Sequence, residues 1–167
     1  LLVDEFQDTN RIQYAWLRVL AGNQVPITIV GDDDQSIYGW RGARIENIRS
    51  FGDDFGRTEV VRLEQNYRST ATILNAANGV IANNRDRLGK QLWTSGDEGE
   101  PISLYAGFNE VDEARFVSDR IQQTLQQGLR RSDIAILYRS NAQSRVLEEA
   151  LLPAASPYRI YGGHRFF

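Results

Sequence analysis

Asp4 and Glu5 directly follow the apolar run Leu1-Leu2-Val3. Such a run reads as the last residues of a buried strand, and α/β folds bind ligands at the carboxyl ends of parallel strands. A carboxylate there suits a water-coordinated Mg²⁺, and a second one beside it suits proton abstraction from an attacking water. The plain alternative is that acids end a strand because the chain is meeting solvent. A second group spans Val30-Gly31-Asp32-Asp33-Asp34-Gln35-Ser36-Ile37-Tyr38-Gly39-Trp40-Arg41-Gly42-Ala43. Its adjacent aspartates make a solvated turn or a cation site, without the alternate spacing and distal glutamate of a calcium loop. Tyr38 and Trp40 lie two apart in a polar loop beside Arg41, and such rings stack on nucleobases at about 1–3 kcal/mol each. Trp40 can equally plug a gap in the core. The third group, Gln65-Asn66-Tyr67-Arg68-Ser69, precedes a helix start, where anions are favoured. Arg68 offers a planar fork for phosphate and Tyr67 a ring for a purine. The competing assignment makes Asn66 and Ser69 helix caps and Arg68 a surface residue.

Composition narrows the chemistry. Among 167 residues there is no cysteine, which excludes disulfides, thiolate metal sites and cysteine nucleophiles. A single histidine, His164, excludes a multi-histidine metal site. Lys90 is the only lysine among 19 basic residues, and its setting, Asn84-Arg85-Asp86-Arg87-Leu88-Gly89-Lys90-Gln91, fails the G-x-x-x-x-G-K-[ST] pattern at both ends. These residues therefore contain no P-loop. The net charge of −3 argues against the simplest basic nucleic-acid binder, yet permits a narrow channel whose few arginines and aromatics face inward. No apolar run approaches the roughly 18 residues of a membrane span, and no basic-then-apolar leader opens the chain.

The elements that must hold these residues are legible as periodicities. Asp8, Thr9 or Asn10 caps a helix with Ile12, Trp16, Val19 and Leu20 on its apolar face and Gly22 as stop. Ile27-Thr28-Ile29-Val30 reads as a buried strand, 43–50 as a short helix and 59–63 as another strand. Ser69 or Thr70 caps a helix whose apolar face is Ile73, Leu74, Ala77 and Ile81. A polar connector over 83–100 leads to a strand at 102–106. A helix from Asn109 follows, with Ala114, Val117, Ile121 and Leu125 at helical spacing and Gly128 as stop. A strand at 134–138, a helix capped by Asn141 and halted before Pro153, and a strand at 158–161 complete the pattern. Strands alternating with helices indicate α/β architecture with parallel sheets. A composition shift near 65–70 suggests two such units, with the 134–138 strand expected to be better protected than 27–30.

Asp4-Glu5-Phe6-Gln7-Asp8-Thr9-Asn10, the Gly31–Ala43 segment and Gln65–Ser69 together, in that order, resemble motifs II, III and IV of superfamily one helicases of the UvrD/Rep/PcrA group. The run Tyr161-Gly162-Gly163-His164-Arg165-Phe166-Phe167 is similar to the same group. The resemblance implies P-loop NTPase (RecA-like) parallel sheets with flanking helices. Residues 1–65 would be the C-terminal part of a first RecA-like domain lacking its P-loop strand. Residues 66–167 would be the N-terminal part of a second such domain, ending before a mobile insertion.

By the same resemblance Asp4 would coordinate Mg²⁺ and Glu5 would activate water. Gln35 would sense the γ-phosphate of ATP. Tyr38, Trp40 and Arg41 would contact single-stranded DNA. Tyr67 would stack on adenine, and Arg68 would neutralise γ-phosphate charge as an arginine finger does. Arg139 and Asn141 would lie on the DNA path, whereas His164 reads as structural or exposed. The implied activity is ATP-driven 3′-to-5′ translocation and unwinding in repair or replication. Single strands and single/double-strand junctions would be the partners, in the nucleoid-associated cytoplasm and away from membranes. The isolated chain is expected to be inactive, and unpaired sheet edges invite self-association. Two alternatives remain at this stage: a non-catalytic DNA- or nucleotide-binding module, and a metal-dependent nuclease using Asp4, Glu5 and Asp32–Asp34.

Overall fold

The computed structural model describes residues 1–22, 24–56, 58–153 and 157–161. His164 and the remainder of the 162–167 run lie outside the described residues. The chain divides into two compact units, Leu1–Ile102 and Ser103–Phe167.

In the first unit, β1 (Leu2–Val3) and β2 (Thr28–Ile29) form a two-stranded parallel sheet, with Leu2 opposite Thr28 and Val3 opposite Ile29. Between them runs α1 (Arg11–Ala21). Asn10 caps it in a reciprocal box with Gln13, each side chain accepting from the other's backbone N–H at 2.9 Å. Gly22 ends it at φ +51. The face it buries is not the expected one: Tyr14, Leu17 and Ala21 point inward, whereas Ile12, Trp16 and Val19 are 80, 61 and 80% exposed. An aromatic cluster decides this. Phe6, fully buried at the end of β1, meets Tyr14 and Phe51 edge-on with centroids 5.8 Å apart in each case. Phe51 lies on α2 (Glu46–Phe55), a longer helix than expected, and Val3, Ile27, Ile29, Ile48 and Phe55 close the cluster. The Tyr14 hydroxyl donates to Asp54 at 2.7 Å, and burial followed by this bond pushes its pKa well up.

Helix α3 (Ala71–Ile81) follows Thr70 as expected, but Leu74 is its only buried residue, with Ile73 half-exposed and Ala77 exposed. The strand expected over 59–63 does not form. Val60, Val61 and Leu63 are 77, 73 and 79% exposed, and among the described residues no neighbouring segment takes up their backbone groups. Pairing begins only beyond it, where Asn66 N–H donates to the Trp93 carbonyl and Trp93 N–H to that of Glu64.

In the second unit, α4 (Glu110–Gln126) is capped by Asn109 and stopped by Gly128 at φ +98. It packs against α5 (Ser144–Leu151), burying Ala114, Ser118 and Leu151. Tyr105 stacks on Phe116 at 3.8 Å and donates to Asp112, whose carboxyl the Phe108 amide and this hydroxyl hold low. Asn141 does not cap α5. It opens a 3-10 turn, Asn141–Gln143, capped by Ser140, and this turn leads into the helix. The strands expected over 102–106, 134–138 and 158–161 are absent among the described residues, and Leu104 and Leu137 are 96 and 93% exposed. A β-branched run becomes a strand only where a partner strand exists. Among the described residues, no helix is long and apolar enough to cross a membrane.

Candidate functional site

The short parallel pair fixes the first carboxylates. Thr28 and Val30 donate to Leu1 and Val3 across the sheet at 2.8 Å, and Phe6 N–H donates to Val30 O at 3.0 Å. The chain turns at Glu5, which takes the left-handed conformation (φ 50, ψ 42) and is the only non-glycine residue to do so among the described residues. Asp4 and Glu5 both project into solvent at the carboxyl end of β1, with the Glu5 amide donating to Asp4 Oδ1 at 2.9 Å. Two exposed carboxylates suit a hard, oxygen-seeking cation such as Mg²⁺.

Across the sheet, Gly31 leads into the three aspartates. A methyl group on Gly31 would lie 2.8 Å from Gln7 Oε1, so close approach demands glycine there. The Asp32 carboxylate accepts from Gln35 Nε2 at 2.7 Å and from the Asp34 amide at 3.0 Å, and pairs with Lys90. Burial alone would push the Asp32 carboxyl up. The hydrogen bonds from Lys90, Gln35 and the Asp34 amide, with the Lys90 charge, outweigh that and hold it below the usual carboxylate range. Arg87 forks onto Asp34 through Nε and Nη2 at 2.8 and 2.6 Å, and Leu88 N–H donates to Asp33 at 2.7 Å. The three acids, which lie close enough together to suggest a cation site, are thus clasped by the chain's own 87–90 segment.

The loop that follows shows its rings to solvent. Trp40 is 74% exposed, which removes the core-plug assignment, and the Arg41 guanidinium lies 4.7 Å from its ring and 5.3 Å from that of Tyr38. A 3-10 turn over Gly39–Arg41 and hydrogen bonds from the Arg41 and Ala43 amides to the Tyr38 carbonyl shape the loop. Its far end is tied to the Glu5–Asn10 segment: Arg44 N–H donates to Thr9 O at 2.9 Å, and buried Asn47 donates to the same carbonyl at 3.0 Å and to Thr9 Oγ1 at 3.1 Å. Asn66 Oδ1 accepts the Arg68 and Ser69 amides at 2.9 and 2.8 Å, which presents Tyr67 at 86% exposure beside an exposed Arg68. The Tyr67 hydroxyl donates to Gln65 at 2.9 Å. Arg139 and Asn141 are exposed in the second unit, where Gln143 Oε1 accepts the Arg139 and Ser140 amides.

Nothing in the sequence spacing marks Gln7, Thr9 or Asn47 as links within the site: Gln7 meets the Asp32 amide 25 residues on, and Asn47 meets Thr9, read above only as a candidate helix cap, 38 residues back. A glutamine next to a phenylalanine at a strand end is the faint signal available.

The UvrD-like helicase C-terminal domain matches residues 61–167, and the UvrD/REP helicase N-terminal domain matches residues 1–56. The chain belongs to the UvrD-like helicase family. Over all 167 residues it is 68% identical to DNA helicase II of Escherichia coli and 64% identical to that of Haemophilus influenzae. Over 165 residues it is 52% identical to the ATP-dependent DNA helicase PcrA of Staphylococcus aureus. The chain spans about 23% of the length of each of these UvrD-like relatives. Family membership implies a RecA-like P-loop NTPase fold, of which the small parallel sheet with its helices is a part.

Proposed function

We propose that this chain is the part of an ATP-dependent 3′-to-5′ DNA helicase that joins the hydrolytic carboxylates to the single-strand contact. The observation that carries the reading is the tie of the Tyr38–Trp40–Arg41 loop to the Glu5–Asn10 segment through Arg44, Asn47 and Thr9. One hydrogen-bonded piece holds the residues for both ends of the coupling. Asp4 is the residue that would hold Mg²⁺, which neutralises phosphate charge when bound. Glu5 accepts the proton of the attacking water, Gln35 senses the γ-phosphate, Arg68 offsets its charge, and Tyr67 takes the adenine ring. Trp40 stacks on a base, with Tyr38 and Arg41 beside it. Arg139 and Asn141 of the second unit contact DNA as well, and single/double-strand junctions are the substrate.

The absence of a G-x-x-x-x-G-K-[ST] run from these 167 residues favours a second reading for the chain by itself, a binding module without turnover. The clasp on Asp32–Asp34 disfavours a nuclease, whose carboxylates must face a pair of metal ions. In the full-length protein that carries this segment, Glu5→Gln is expected to cut DNA-stimulated ATP hydrolysis at least about 100-fold, to a small residual rate, while single-strand binding persists. Hydrolysis at the unmodified rate in that variant would reject the reading.

A further inference from the structure

The Gln7 side chain is 1% exposed, and both ends of its carboxamide are engaged. Nε2 donates to Glu5 Oε2 at 2.6 Å, and Oε1 accepts the Asp32 amide at 3.0 Å. Burying a carboxamide is costly unless donor and acceptor are both satisfied, and here the two partners belong to the two strand ends that carry Glu5 and Gln35. Asp32 in turn accepts Gln35 Nε2 on its carboxylate at 2.7 Å and the Gln35 amide on its carbonyl at 3.0 Å. A continuous hydrogen-bonded path therefore runs from Glu5 through Gln7 and Asp32 to Gln35. Glu5 stands on a left-handed backbone, a conformation that a side-chain-bearing residue keeps only where its surroundings fix it.

We propose that Gln7 is a positioning residue for ATP hydrolysis: it aims the Glu5 carboxylate and ties it to the segment that carries Gln35. This rests on the assignment of Glu5 and Gln35 made under Proposed function. Gln7 is buried and acts through its two partners, Glu5 and the Asp32 amide.

The test is steady-state ATP hydrolysis by the full-length protein with Gln7→Leu, Glu5→Gln and the double replacement, at temperatures where unfolding curves show each variant fully folded. Gln7→Leu is expected to lower kcat about 10–100-fold, the scale of a misplaced reacting group, with KM for ATP within about twofold. The double variant should be no slower than Glu5→Gln alone. Gln7→Glu, which keeps the shape and the acceptor for the Asp32 amide but loses the donor to Glu5, is expected to lower kcat in the same direction and decides the matter if Gln7→Leu does not fold. An unchanged kcat in the folded variants, or a Gln7→Leu loss that multiplies with the Glu5→Gln loss, overturns the proposal. If Glu5→Gln itself hydrolyses normally, the assignment of Glu5 has failed instead, and the positioning role falls with it.

Discussion

At the scale of single residues, exposure separates roles that composition leaves open. Trp40 is 74% exposed, so Trp40→Ala should weaken single-strand binding of the full-length protein by about 1–3 kcal/mol. It should leave the urea midpoint of the chain nearly unchanged, since a surface replacement alters stability by about 0.5 kcal/mol or less. A large loss of stability with intact affinity would return Trp40 to the core. Phe6 is the opposite case. It is fully buried between Tyr14 and Phe51, and Phe6→Ala should cost about 3–5 kcal/mol of folding, read from the same denaturation curves. Local chemistry singled out Asp4, Glu5, Tyr67 and Arg68, whereas Gln35 took its role only from the resemblance of its segment to a helicase motif. The sequence could not mark Gln7 or Asn47, whose value lies in partners that only folding brings near.

At the scale of elements, the helices and the two strands that pair with each other were legible, whereas the strand-like runs without a partner were misread, for a physical reason. A helix satisfies its own backbone, so Asn10 and Gly22 suffice to delimit α1 and Asn109 and Gly128 to delimit α4. A strand depends on a neighbour. The runs at 59–63 and 134–138 have strand composition without one among the described residues, and the observed pairing now predicts the opposite protection order. Hydrogen exchange should be slower at Thr28 and Val30, which donate across the sheet, than at residues 135–138. Faster exchange at Thr28 and Val30 would contradict the observed pairing. The 87–90 clasp answers to pH in a definite direction. Asp32 titrates below its ordinary value of 3.8, so its contribution is complete above that value and is lost as pH falls through the lower folded value. The Leu88 amide, which donates to Asp33 inside the clasp, should therefore be protected at neutral pH and lose protection on acidification below about pH 4, before the Phe6 cluster does. Protection that persists equally in both regions would show that the clasp adds nothing.

At the scale of the whole molecule, the purified 167-residue chain should release no phosphate from ATP above a Glu5→Gln control, since its sequence carries no G-x-x-x-x-G-K-[ST] run to cradle the β- and γ-phosphates. Magnesium-dependent turnover above that control would refute this. Much apolar surface is open in the first unit, on Ile12, Trp16 and Val19 of α1 and at Val60 and Val61, all between 61 and 80% exposed. Sedimentation should accordingly show association that grows with concentration, whereas a monomer at every concentration would speak against it. The pairing of Lys90 with Asp32 has a practical corollary. Because the chain carries one lysine, an amine-directed acylating reagent has a single side-chain target, and that target is withheld while the ion pair is closed. The rate of acylation at Lys90, told apart from that at the Leu1 α-amino group by peptide mass, is thus a built-in gauge of how often the segment lifts from the aspartates, readable without changing a residue.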